Sequence, residues 1–243
     1  MQIVAIIPAR GGSKRIPRKN VRDFLGKPLI NYSIEKAINS KIFSDVFVST
    51  DDDEIAQISI DAGAKVPFIR KLELADDKTV TIDVISDFVE QMKMDEEDIV
   101  CCIYATAPLL KVESLHQGLQ LFLEAPSSDY SCALTKFNYP IERALKKSDD
   151  GLFNMIFQEN LQIRSQEFSE SFHDAGQFYF ARATTWLKRK PMLNNTNGIV
   201  LPSWNVQDID TEEDWKRCEI LYELNMRLNE ENQLFENESK NYS

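Results

Sequence analysis

Two short stretches carry the residue types that phosphate chemistry needs. The first is Ala9-Arg10-Gly11-Gly12-Ser13-Lys14-Arg15-Ile16-Pro17-Arg18-Lys19-Asn20, directly after the apolar run Ile3 to Ile7. Paired glycines leave backbone N–H groups open to an approaching anion, and Arg10, Lys14 and Lys19 supply the charge to neutralise it. The stretch contains neither the Gly-x-x-x-x-Gly-Lys-[Ser/Thr] of a Walker A loop nor the Gly-x-Gly-x-x-Gly of dinucleotide folds, which weakens kinase and dehydrogenase readings. The second stretch is Gln207-Asp208-Ile209-Asp210-Thr211. Residues two apart in an extended segment point the same way, so Asp208 and Asp210 present two carboxylates to one side. Mg²⁺ is commonly held by one or two carboxylates plus substrate phosphates. Acids just ahead of a helix also serve as caps, and spacing alone leaves both readings open.

Charge is distributed to match. Residues 1–31 hold seven basic side chains against Asp23 alone, a local charge of +6 in a chain of 243 residues whose net charge is −11. So acidic a chain repels phosphate backbones and anionic headgroups over most of its surface, and neither a nucleic acid nor a membrane is an expected partner. A hydrophobic fraction of 43% is enough for one large core, and no apolar run approaches the ~20 residues of a membrane span. Met1 to Pro8 opens straight into a strand pattern with no signal-peptide layout, so a cytoplasmic protein is expected. Cys101, Cys102, Cys132 and Cys218 contain no Cys-x-x-Cys pair and read as buried, reduced thiols.

The elements that must position these stretches follow from hydrophobic periodicity. Ile3–Ile7 reads as a strand covered on both faces. Pro28 suits the first turn of a helix carrying Leu29, Tyr32, Ile34, Ala37 and Ile38, and Val46–Val48 is the next strand. Helices over about 54–61, 79–92 and 113–123 alternate with strands at Val66–Ile69, Ile99–Tyr104 and Tyr130–Leu134. This alternation predicts a doubly wound, mostly parallel α/β sheet with ligands at the carboxyl ends of its strands. From about 137 to 172 a polar stretch with scattered aromatics reads as an inserted arm. Strands at Gln177–Ala181 and Ile199–Leu201 follow, then a helix over Thr211–Leu228 with Thr211 as N-cap and Asp214 three residues on. Residues 1–228 form one domain, and 229–243 read as a polar, flexible tail.

The twelve-residue loop resembles the Ala-Arg-x-Gly-Ser-Lys and Lys-Asn signature of the acylneuraminate cytidylyltransferases, a family within the nucleotide-sugar pyrophosphorylase superfamily. The resemblance implies a Rossmann-like nucleotidyltransferase fold, CTP as one substrate and a nine-carbon 2-keto acid sugar as the other. It also implies a homodimer built through the inserted arm, with Leu152, Phe153, Ile156 and Phe157 at the interface. Arg10, Gly12, Ser13, Lys14, Lys19 and Asn20 would bind the nucleotide, with Arg10 and Lys19 also serving catalysis. An Asp-x-Asp in this family binds the catalytic Mg²⁺, a role that falls to Asp208 and Asp210. Arg70-Lys71-Leu72-Glu73-Leu74 is similar to the family's Arg-Pro-Ala-Glu-Leu, whose arginine contacts phosphate, although Lys71-Leu72 replaces Pro-Ala. Thr79 and Thr81 carry two readings, hydrogen bonds to the nucleotide or capping of the following helix.

Two further segments bear on the sugar. Tyr104-Ala105-Thr106-Ala107-Pro108 departs from the patterns of the sialic acid and Kdo branches and resembles the branch that activates pseudaminic acid; so does Asp174-Ala175-Gly176-Gln177-Phe178-Tyr179. The resemblance assigns Tyr104, Thr106, Asp174, Gln177 and Tyr179 to the sugar. Strand alternation sends one of Phe178 and Tyr179 into the core. Arg143 and Arg164 fall in the arm, and at least one suits a bidentate pair with the sugar carboxylate; Arg164 is preferred because it lies closer in sequence to the sugar-reading segment. His173 reads first as a surface or hydrogen-bonding residue and second as a general base. Other readings are the same chemistry on sialic or legionaminic acid, and a non-catalytic nucleotide-binding regulator, which the retained acid pair disfavours.

Overall fold

The structure is a computed structural model and describes residues 1–241; side chains from 229 onward lie outside the described residues. The chain forms β1 (Ile3–Pro8), β2 (Asp23–Phe24), β3 (Lys27–Pro28), α1 (Leu29–Ser40), β4 (Asp45–Ser49), α2 (Asp53–Asp61), α3 (Thr81–Gln91) and β5 (Ile99–Ile103). It continues through α4 (Val112–Glu124), β6 (Tyr130–Lys136), β7 (Leu145–Lys147), β8 (Phe153–Met155), β9 (Phe172–Arg182), α5 (Ala183–Leu187), β10 (Thr196–Leu201) and α6 (Glu212–Asn241). Six strands make one sheet in the order β10-β6-β9-β5-β1-β4. β1 pairs parallel with β4 and β5, and β10 with β6; β9 alone runs against its neighbours.

Alternation along β1 divides the core into two layers, as expected for a sheet buried on both faces. Ala5 and Ile7 pack with Ile30 and Ile34 of α1 and Leu115 and Phe122 of α4, whereas Val4 and Ile6 pack with Ile85 and Phe88 of α3 and Trp186 of α5. The doubly wound, mostly parallel architecture is therefore present. No helix among the described residues is long and apolar enough to cross a membrane. All four cysteines are buried and free.

Three local expectations are corrected. Val66–Ile69 is not a strand; Phe47 and Lys65 form an isolated bridge there, and Pro67 has no N–H to extend the ladder. Both Phe178 and Tyr179 are fully buried, because a strand enclosed by the two layers has no solvent face. Pro28 precedes α1 as its N-cap residue. The α6 backbone continues to Asn241, through most of the segment read as a tail, while 242 and 243 lie outside the described residues. The arm contains the small β7–β8 hairpin, which belongs to a separate two-stranded sheet.

A third apolar cluster matters most for the site. Ile16 of the basic loop and Ile209 of the acidic segment are both fully buried, packed with Phe24, Leu29, Tyr32 and Trp215. Burying Ile209 leaves its neighbours Asp208 and Asp210 projecting outward together, and burying Ile16 brings the basic loop up beside them.

Candidate active site

The basic loop leaves β1 at Pro8 and turns immediately beneath β4. Gly11 donates its N–H to Asp51 (3.1 Å), and a Cβ at Gly11 would lie 2.6 Å from Asp52 Oδ2, so no larger residue fits without displacing that carboxylate. Asn20, buried, donates its amide to Arg10 O at 3.0 Å and closes the loop. Three of the seven cations are committed to the scaffold. Arg18 pairs with Asp52 (2.5 Å) and Glu54; Arg22 pairs with Glu212 (2.6 Å) and lies over the Trp215 ring; Lys27 pairs with Glu35. Arg10, Lys14, Arg15 and Lys19 are left to line a cleft of about 590 Å³.

That cleft brings together most of the predicted residues: Arg10, Ser13, Lys14, Lys19, Asn20, Arg70, Thr79, Thr81, Tyr104, Thr106 and Asp208. Gly12 and Asp210 stand beside it rather than in its wall. Neither threonine caps α3, whose N-cap is Val80 with no side-chain cap bond. Thr79 instead bonds Asp76 (2.7 Å), and Thr81 lies 3.3 Å from the Tyr104 hydroxyl. Arg70 is buried beneath the cleft between Ser49 O (3.3 Å) and Asp51 (3.4 Å), and its Nε has no partner. The loop Asp76–Asp77 supplies an internal anion to the cleft. Arg10 meets Asp76 O at 2.7 Å and Asp77 at 2.9 Å, and Lys14 pairs with the same Asp77. The lysine and arginine hold the Asp77 carboxyl below its ordinary range.

At the acidic end, Lys19 donates to Ile209 O at 2.5 Å and lies 3.6 Å from Asp210, which also pairs with Arg15 at 2.7 Å. Burial pulls the Lys19 ammonium down from its usual value, opposed by Asp210 and Asp208. Asp208 has no ion-pair partner among the described residues. Loss of surrounding water and repulsion by Asp210 push its carboxyl up. Capping of α6 falls to Thr211 and Asp214, which bond each other reciprocally (2.8 and 3.2 Å), so the acid pair is free of that duty. No cluster of three or more His, Cys, Asp or Glu able to hold a metal occurs among the described residues. Two hard oxygen donors with room for phosphate and water suit Mg²⁺ and not a closed protein cage.

The sugar assignments divide differently. Tyr104 and Thr106 line the cleft, but Tyr179 and Gln177 are buried and Asp174 is half-buried beneath it. Tyr179 donates its hydroxyl to Asp174, and its ring lies 5.4 Å from that of Tyr104. Burial pushes the Tyr104 phenol up to about 12. Arg164 is exposed on the arm and away from its own chain's cleft. Beyond Asp208 lies a second hollow of about 600 Å³, lined by Lys136, His173, Trp204, Gln207, Asp210 and Arg217 among others. Of these, the sequence alone points to Asp210 and, as a second reading, to His173; the others come from separate segments that no local pattern unites. His173 is exposed, with Nδ1 2.8 Å from Asp174 O and its ring against Phe137, which matches the hydrogen-bonding reading.

Fold and site together define a nucleotide-binding α/β enzyme whose cationic loop and acid pair flank one cleft at the carboxyl ends of the strands. The comparisons make the class specific: a cytidylyltransferase family model matches residues 4–190, and the chain belongs to that family. It is 43% identical over 228 residues to the pseudaminic acid cytidylyltransferase of Campylobacter jejuni serotype O:2, covering 93% of this chain and 98% of that protein. It is 31% identical over 229 residues to the CMP-N,N'-diacetyllegionaminic acid synthase of Legionella pneumophila, again covering 93% and 98%. A solved CMP:2-keto-3-deoxy-manno-octonic acid synthetase complexed with CTP superposes with a TM-score of 0.67 at 18% identity, over 93% of this chain and all of that one, and shows the shared fold.

Proposed function

We propose that this cytidylyltransferase activates pseudaminic acid with CTP, giving CMP-pseudaminic acid and pyrophosphate. The observation that carries the reading is the 43% identity to the Campylobacter enzyme over nearly the full length of both chains. The geometry supports it. The oxygen of the sugar's anomeric hydroxyl would form a bond to the α-phosphorus as the bond from that phosphorus to the α–β bridging oxygen breaks in line; pyrophosphate leaves with the bridging oxygen, and the hydroxyl proton passes to solvent. Such a step asks the protein to hold two anions together and to neutralise charge on the phosphoryl oxygens. Arg10, Ser13, Lys14, Lys19, Asn20 and Arg70 would bind the nucleotide, and Asp208 and Asp210 would hold Mg²⁺. When bound, the ion supplies Lewis-acid stabilisation of the phosphates. Tyr104 and Thr106 would meet the sugar at its junction with the nucleotide, and the second hollow has the volume and polar lining for the remainder.

We further propose a cytoplasmic homodimer built through the arm. Tyr139 is 82% exposed and Leu152 and Phe153 are each 64% exposed, an apolar surface that water does not favour. Arg164, on the same arm, contributes to a sugar site only if the arm crosses to a neighbour.

The test is initial-rate pyrophosphate release from CTP with pseudaminic, legionaminic and N-acetylneuraminic acids and Kdo supplied in turn. Highest kcat/KM with pseudaminic acid is expected. Preference for another of these sugars keeps the chemistry and overturns the substrate, and no release with any of them leaves a nucleotide-binding regulator.

A further inference from the structure

Gln177 is buried to 3% exposure in β9 and has both ends in use on different parts of the site. Its backbone carbonyl accepts the N–H of Tyr104 at 2.9 Å, just past the end of β5, where the cleft begins. Its side-chain Nε2 donates to Asn205 O at 2.7 Å. Asn205 ends the short turn Ser203–Asn205, which leads from β10 directly into Gln207–Asp210. From the other side, Asn225 of α6 donates to Trp204 O at 3.0 Å, and Lys19 donates to Ile209 O. The acidic segment, whose Asp210 N–H also bonds Asp214 (3.2 Å), is thus held by several side chains, only Gln177 among these being rooted in the central sheet.

Two features separate this from packing and from ligand contact. Gln177 Oε1 is buried without a partner, a cost that an apolar side chain of similar length would avoid. The one hydrogen bond its side-chain amide makes goes to the turn, and the residue does not line the cleft where a sugar could reach it.

We infer that Gln177 is a positioning residue for the acid pair. It fixes the height of the turn relative to the end of β5, and with it where Asp208 stands relative to Tyr104 and the nucleotide. Outer-shell groups that orient ligands for a metal typically change its affinity ten- to a hundredfold when removed. This inference rests on the reading of Asp208 and Asp210 as the Mg²⁺ ligands, and it replaces the sugar-binding role expected for Gln177.

The experiment titrates Mn²⁺ into protein with saturating CTP, following free Mn²⁺ by electron paramagnetic resonance, and separately measures CTP binding in EDTA by calorimetry. Gln177→Met, similar in length but without a donor, is expected to weaken Mn²⁺ binding about tenfold while CTP affinity in EDTA stays within twofold and the sugar KM is unchanged. Gln177→Glu, isosteric but carrying a carboxylate against the Asn205 carbonyl, gives the same loss, and serves alone should the methionine variant not fold. Unchanged Mn²⁺ affinity, whatever the melting temperature does, overturns the inference, as does an effect confined to the sugar KM. Wild-type protein that binds no more Mn²⁺ than CTP alone overturns the metal reading, and the inference with it.

Discussion

On the basic-loop side of Asp208, the loop's cations are paired with internal anions: Asp77 with Arg10 and Lys14, and Asp210 with Arg15 and Lys19. On the far side, the hollow is assembled from β6, β9, the turn before the acid pair and α6, and the neighbouring arm leaves large apolar side chains in water. The contrast is physical. Crowded cations repel one another, and the resident carboxylates offset that repulsion; an anion entering the cleft would compete with them. The second half carries charges of both signs, Lys136 and Arg217 with Asp210 and Asp214, and depends on assembly of distant segments. Substitutions in the first should change electrostatics and catalysis; those in the second should change association and specificity.

The largest expected effect is Lys19→Met. It removes a cation that lines the cleft and holds the acidic segment through Ile209 O, and should lower kcat/KM for CTP by about 10²- to 10³-fold, the range seen when one preorganised donor is lost. Steady-state kinetics check it, and a loss under tenfold would move charge neutralisation elsewhere in the loop. Next comes the arm. Charges at Leu152→Asp and Phe153→Asp should weaken self-association by at least about tenfold, since burying one such side chain is worth roughly 1.5–3 kcal/mol. Analytical ultracentrifugation would report it, and an unaltered dimer would remove this surface from the interface. Smaller again is Asp77→Asn, which deletes the resident competitor of the triphosphate. Exposed pairs are worth at most about 1 kcal/mol, so KM for CTP should fall up to about fivefold with kcat nearly constant. A raised KM would instead make Asp77 a ligand contact. Least of all, native protein at pH 8 should show no thiol reaction with Ellman's reagent, because burial pushes the thiols up, Cys132 and Cys218 to about 12. Prompt reaction of any of the four would mean that the layers beneath the two halves open.

Legibility in the sequence followed the same divide. The basic loop was readable because one contiguous stretch after one strand supplies glycines, cations and a polar amide together. The alternating elements were readable for the reason that a sheet buried on both faces imposes continuous apolar runs such as Ile99–Ile103. Direction was less so: nothing in Phe172–Arg182 marks it as the reversed strand, since pairing is decided by neighbours far away in the chain. The sugar-side residues were the hardest. Asp174, Gln177 and Tyr179 carry polar groups that suit a ligand, yet burial turns those groups on one another and on the turn before the acid pair. Lys136 and Arg217 sit in unremarkable local sequence and meet only through the fold. Arg18 and Arg22, counted with the ligand cations by composition, are spent on α2 and α6.

If Asp208 and Asp210 hold Mg²⁺ for transfer from CTP, losing either the ion or the carboxylates should stop the reaction. Pyrophosphate release with CTP and pseudaminic acid, measured for wild type and for Asp208→Asn/Asp210→Asn with Mg²⁺ and with EDTA, tests it most directly. Release by wild type in Mg²⁺ that falls about 10³-fold or more in EDTA and in the double variant is the predicted result, since metal stabilisation is worth several kcal/mol and each 1.36 kcal/mol is tenfold. Release that persists in either condition would mean that this acid pair does not hold the metal for the transfer.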